Sequence, residues 1–181
     1  MILVVMIFIG LLAALASGGS VGRLKTERLR GETALLALLP AQILWPALSR
    51  AAGLSCQVSI SVWLTMMAGL VLILARNVKR RLPLGLAALG VAANLLVIAL
   101  NGAMPVSLAA SSELGLRRVE ARRVLVQDCL HEEITGGTRL PWMADVIAVP
   151  GPDWLSAVIS PGDLLLGGGL ALWIFSASRE R

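Results

Sequence analysis

Five long apolar runs set the pattern of this chain, at residues 2–16, 33–48, 58–75, 84–100 and 163–178. The first four are separated by short polar or basic stretches. A long polar stretch divides the fourth from the fifth. None alternates with period two, as the strands of a membrane barrel would. Each is a continuous run rich in Leu, Ala and Val, at or somewhat below the about 20 residues a helix needs to cross hydrocarbon. Inside lipid a span must satisfy its own backbone amides, so each run is predicted to be a helix. The fold class read from the pattern is an all-α integral membrane protein. It forms one domain of five transmembrane helices, with residues 101–162 as a structured extracytoplasmic cap.

Polar residues inside the runs mark helix contacts. Gly10 and Ala14 make a small-xxx-small face suited to close packing. Ala14-Leu15-Ala16 matches a signal-peptidase pattern, but positive charge follows the run instead of preceding it, so it reads as a helix end. Gln42 lies in mid-span and is expected to bond another helix. Pro46 is expected to bend the second span, and Trp45 fits an interfacial anchor. Met66 and Met67 read as adaptable packing. In the fourth span, Gly85, Ala88, Gly90, Ala92 and Ala93 keep the surface thin beside Asn94. Asn101 is seven residues on and shares the face of Asn94. Gly102 suits the left-handed conformation that ends a helix, and Pro105 prevents its continuation soon after.

Within the cap, a short helix is expected near residues 107–114, a charged helix over 116–124 and an extended segment over 124–130. Thr138 reads as the N-cap of a further helix through Val146, with Pro141 in its first turn. Leu140, Trp142, Met143, Val146 and Ile147 would lay it on the outer interface. Pro150-Gly151-Pro152 ends it. Ser160-Pro161-Gly162-Asp163 is a capping box, with Asp in place of the usual Glu, and starts the fifth span.

Composition agrees with the pattern. The chain is 57% hydrophobic and 15% charged, with mean hydropathy +0.82. Soluble domains run at about 45–50% apolar and about 25% charged. The formal charge of +5 does not point to nucleic acid, because the basic residues cluster between apolar runs. Ten of the 16 Lys and Arg fall in the first loop, the third loop and the tail. The positive-inside rule then places the N-terminus outside and the C-terminus in the cytoplasm.

Chemistry is sparse. The sequence has no phosphate-binding glycine loop, no H-E-x-x-H and no Cys-x-x-Cys. With a single His, a histidine-paired metal or haem site is excluded within one chain, and His131 among Asp128, Cys129, Glu132 and Glu133 reads as a solvated charge cluster. No metal is expected. Cys56 and Cys129 both fall on the outer side in this topology, where an oxidising compartment permits a disulfide; the sequence does not choose between bridged and free thiols.

The residues Asn94, Asn101-Gly102-Ala103-Met104-Pro105, Thr138 to Ile147, Pro150-Gly151-Pro152 and Ser160-Pro161-Gly162-Asp163 resemble a family of small bacterial multi-pass membrane proteins catalogued only as a domain of unknown function. The resemblance spans essentially the whole chain. Ala103 departs from a glycine usual in that family. The resemblance implies fold, topology and a bacterial source, and with the charge pattern the expected location is the bacterial inner membrane; it implies no activity.

Asn94, Asn101, Arg139, Asp145 and Asp163 are expected to line one outward-facing polar pocket. Gln42, Gly102, Met104, Pro105, Trp142, Pro150 and Ser160 are expected to build its frame. The function expected is non-enzymatic: an accessory or structural subunit of a larger membrane complex, or a module that binds lipid or quinone. The alternative is a small membrane enzyme or transporter with Asp145 or Asp163 as its ionisable group. Expected partners are membrane lipids and other membrane subunits; the only cofactor expected is a bound lipid or quinone.

Overall fold

A computed structural model of the chain describes residues 2–26, 28–79, 81–115, 129–152 and 155–179. Its helices are α1 (Ile2–Ala16), α2 (Val21–Thr26), α3 (Glu32–Ala51), α4 (Cys56–Asn77), α5 (Pro83–Asn101), α6 (Leu108–Glu113) and α7 (Pro161–Arg179). The strands are β1 (Met104–Val106), β2 (His131–Glu133), β3 (Ile147–Val149) and β4 (Ala157–Ile159). The chain is thus mostly helical. Among the described residues three helices, α3, α4 and α5, are long and apolar enough to cross a membrane, and α1 is a shorter apolar helix.

The long helices pack in the order α3, α4, α5, α7, α1. Helix α5 is central, and half of its apolar window is buried. Its Leu84, Ala87, Val91 and Val97 meet Met67, Leu70 and Leu74 in one core. Against α7, α5 offers small residues, so the two backbones approach closely. A Cβ on Gly90 would meet the Leu166 amide nitrogen at 2.5 Å and the Gly162 carbonyl oxygen. Helix α7 meets α1 in the same way, with Gly10 against the Ala171 backbone and Ala14 fully buried. Helix α3 is the least covered: Leu36, Ile43, Leu44 and Leu48 are all more than half exposed.

Helix ends follow their local sequence. Gly102 takes the left-handed conformation, φ 89°, that ends α5. Ser107 caps α6 through the Ala110 amide. The first loop is tied to the bundle by Asn77, 1% exposed. Its side-chain amide donates to the carbonyls of Ile73 and Arg30, and its oxygen accepts from the Arg30 amide at 2.9 Å. Asn77 was not legible as a contact residue from the apolar pattern.

The polar segment departs from the all-α expectation. It carries two two-stranded sheets: β1 and β2 run parallel, with Met104 opposite His131, and β3 and β4 run antiparallel, with Ile147 opposite Ile159. The helix expected from Thr138 to Val146 shrinks to one 3-10 turn, Pro141–Met143. Two causes stand out. Asn101 captures the Arg139 backbone, its amide donating to the Arg139 carbonyl at 3.0 Å and its oxygen accepting from the Arg139 amide at 2.8 Å. Further on, Asp145 bridges in parallel to Val106: its amide donates to the Pro105 carbonyl and its carbonyl accepts from the Ser107 amide. Backbone groups used in this way cannot also close a helix. Thr138 accepts instead from the Thr135 amide and closes a turn. Trp45 ties two helices: its indole N–H donates to the Ser59 carbonyl of α4 at 3.0 Å. The charged helix expected over 116–124 lies outside the described residues, as does most of the extended segment expected over 124–130.

The α5–α7 contact is testable. Gly90→Ala forces a methyl against fixed backbone and should cost about 1–3 kcal/mol. Gly168→Ala, in α7, meets nothing within 4 Å. Thermal unfolding in detergent should show a clear loss for the first and none for the second; equal losses would refute close packing at Gly90.

Candidate functional site

The end of the bundle nearest the polar segment is organised by Asn94. Its side-chain amide donates to Asp163 Oδ1 at 2.8 Å, and its oxygen accepts from Ser160 Oγ at 2.9 Å. Ser160 and Asp163 form the reciprocal capping box: each backbone amide donates to the other's side chain at 3.0 Å. The three side chains close a ring across the α5–α7 contact. Ser160 is fully buried and Asn94 is 8% exposed. Gly162 belongs to this ring too, because a Cβ there would collide with Asn94 Oδ1. Asp163 therefore spends both oxygens on structure.

Beside the ring lies a cavity of about 240 Å³. Helix α4 supplies Trp63, Met67 and Leu70; α5 supplies Val91, Asn94 and Ile98; α7 supplies Asp163 and Leu166. Gln42 and Pro46 of α3 form another wall, and Met104, Leu130, His131 and Asp145 line it from the polar segment. The walls are mainly apolar, with a few convergent polar groups, which is the usual make-up of a small-molecule site.

Asp145 is its most unusual member. The parallel bridge to Val106 places it at the cavity, where it is 7% exposed. Its Oδ1 is buried without a hydrogen-bond partner. Burial is the main cause that pushes its carboxyl up to about 7, with the Asp163 charge adding to the rise and His131 opposing it. Gln42 carries the second orphan: its Nε2 is buried without a partner. Gln42 thus does not bond another helix, as the sequence suggested, but fronts the cavity.

The five residues expected in one pocket divide. Asn94, Asp145 and Asp163 line this cavity; Asn101 and the exposed Arg139 sit in a separate surface depression with Leu100, Glu132 and Thr135. Asn101 acts there on the Arg139 backbone, so the pair is a structural clasp. Of the frame residues, Met104 and Pro105 are buried in β1, Ser160 caps α7, and Gly102 ends α5. Trp142 is 66% exposed in the 3-10 turn, and Pro150 is exposed after β3. Cys56 and Cys129 are joined in a disulfide with Cα atoms 5.1 Å apart. It ties the start of α4 to the chain just before Leu130 and His131. His131, read from the sequence as part of a solvated cluster, is half-buried in the cavity wall. No group of three or more potential metal ligands occurs among the described residues.

Long apolar helices and a polar segment folded over a cavity at one end of the bundle define a membrane-type helical protein with a capped pocket. The chain belongs to the DUF5317 family, a family of unknown function whose model matches residues 28–175. Neither a curated protein nor a solved structure matches the chain.

Asp145 makes stability pH-dependent with a definite sign. Its folded value, about 7, lies above the ordinary 3.8. Its contribution is therefore full below pH 3.8 and is lost as pH rises through about 7. Asp145→Asn should flatten that part of the stability profile in detergent and gain most on wild type above neutrality. Parallel profiles for the two proteins would refute the buried, raised carboxyl.

Proposed function

We propose that this chain is a five-span bacterial inner-membrane protein whose role is to hold an amphiphile, a lipid or a quinone, as an accessory or structural subunit of a larger membrane complex. One observation carries the reading: a mainly apolar cavity beneath the polar segment, in which Asp145 and Gln42 each keep a buried polar atom without a partner. Orphaned buried groups cost about 1–3 kcal/mol each, so a site that retains two is suited to an occupant that satisfies them. Helix α3 supports the same reading. Its outward Leu and Ile side chains are exposed, as they would be against lipid tails or a neighbouring subunit's helix.

The test is occupancy. Protein purified in mild detergent should retain a co-extracting amphiphile or a partner subunit, identified by native mass spectrometry. A chain that runs alone and empty at every detergent level tried would overturn the proposal.

The proposed orientation puts residues 101–162 outside and the basic first and third loops in the cytoplasm. The charge distribution supports it. So does the Cys56–Cys129 bridge, since disulfides persist in oxidising compartments. In intact cells the wild type should migrate faster on non-reducing than on reducing gels, and Cys129→Ser should abolish the difference. A cysteine placed at Lys79 should resist an impermeant thiol reagent. Labelling of that cysteine, or fully reduced Cys56 and Cys129 in intact cells, would reverse the orientation.

A second reading, a small membrane enzyme or transporter, is favoured by Asp145 alone, a buried carboxyl that changes charge near neutrality. Asp163 no longer supports it, because both its oxygens are committed to Ser160 and Asn94. Loss of an activity in Asp145→Asn with assembly intact would favour this second reading.

A further inference from the structure

We infer that the cavity takes the head of an isoprenoid quinone or its quinol, with Gln42 and Asp145 as its hydrogen-bonding ends and Trp63 as part of its wall. This rests on the amphiphile-binding reading above and selects one class within it.

Charge makes the first selection. Two carboxyl side chains, Asp145 and Asp163, line the cavity, and among the described residues its lining includes no Lys or Arg. A phospholipid would bring its phosphate to acidic groups with no Lys or Arg among the described lining residues to hold it, in a mainly apolar setting where unpaired charge is most costly. Phosphate recognition rests on Arg, Lys or rows of backbone amides. A neutral head avoids the conflict.

Hydrogen bonding makes the second. Gln42 Nε2 is a donor without an acceptor, and Asp145 Oδ1 lacks a partner. A quinone oxygen accepts from the Gln42 amide and from a protonated Asp145; a quinol hydroxyl donates to an ionised Asp145. One ligand class therefore satisfies both orphans in either redox form, without any electron transfer at this site.

Size and exit make the third. Drug-sized ligands fill roughly 300–1,000 Å³. A space of about 240 Å³ accepts one ring-sized head and excludes the tail. Gln42 and Pro46 line the cavity from α3, and Ile43, next to Gln42 in sequence, is 78% exposed. An isoprenoid tail can leave beside α3 along apolar surface.

The full-length protein in phosphatidylcholine nanodiscs should be titrated with decyl-ubiquinone and with menaquinone-4, reading tryptophan fluorescence. The expected result is saturable quenching, most of which is absent in Trp63→Phe. Gln42→Leu and Asp145→Leu should each weaken the apparent affinity about tenfold, the loss of one hydrogen bond. Quenching that rises without saturation and equally in wild type, Gln42→Leu and Trp63→Phe would overturn the assignment. Native mass spectrometry of the unmodified protein gives an answer that needs no variant to fold. Bound quinone supports the inference. Retained phospholipid with no saturable quinone response overturns it while leaving the wider amphiphile reading in place. An empty protein that responds to neither overturns both.

Discussion

The structure depends on a polar ring closed between two helices that approach almost backbone to backbone. Asn94 spends its amide on Asp163 and its oxygen on Ser160, and those two residues cap each other. Hydrogen bonds in a dry, low-dielectric setting strengthen one another and are costly to leave half-made. The ring therefore fixes the height of α7 against α5 more narrowly than apolar packing alone would. The small residues are the condition for it. Side chains at Gly90 or Gly162 would hold the helices apart and move Asn94 out of reach. Packing and polarity are one design here: each glycine creates the closeness that the amide then exploits.

From that contact the polar segment is positioned in two strokes. Gly102 turns the chain out of α5, and β1 follows at once, with His131–Glu133 on one side and Asp145 bridged on the other. Pro105 has no amide proton to give, and its carbonyl is the group that receives the Asp145 amide. Asn101 clasps the Arg139 backbone from the last turn of α5. The disulfide holds the chain before β2 to the head of α4. The cavity is thus roofed by short pieces of backbone, each anchored to a different helix. Its side walls belong to helices that pack for other reasons.

The helical frame was legible in the sequence, because apolar runs, Pro83, Gly102 and Ser160 act through local rules that need no tertiary partner. The capping box at Ser160 and Asp163 was legible for the same reason. The polar segment was not. Thr138 with Pro141 three residues on is a fair helix start by local rules, but Asn101, 38 residues away, takes the Arg139 backbone and the helix never forms. Strands of three residues, such as β1 and β3, are too short to show a period. The site was half legible. Asn94, Asp145 and Asp163 were chosen as polar residues where polarity is expensive, and they do meet. Asn101 was grouped with them because it shares a helix face with Asn94, and Arg139 because it belongs to the cap, yet their clasp lies in a separate depression. His131 and Leu130 join the cavity wall only through parallel pairing across residues 107–130, which no local pattern announces.

The two acids at the cavity show how environment divides roles that the sequence leaves equal. Asp163 sits at a helix start, where the Ser160 backbone amide and the Asn94 side-chain amide occupy its two oxygens. Asp145 stands a short distance away in the same cavity. There the Asp163 charge repels it, burial removes its water, and its Oδ1 has no donor. Among the described residues of the lining, Gln42 is the only side-chain amide besides Asn94. Its Nε2 remains unpartnered too. The two orphans therefore share one mainly apolar cavity, beside a network in which Asn94, Ser160 and Asp163 pair with one another.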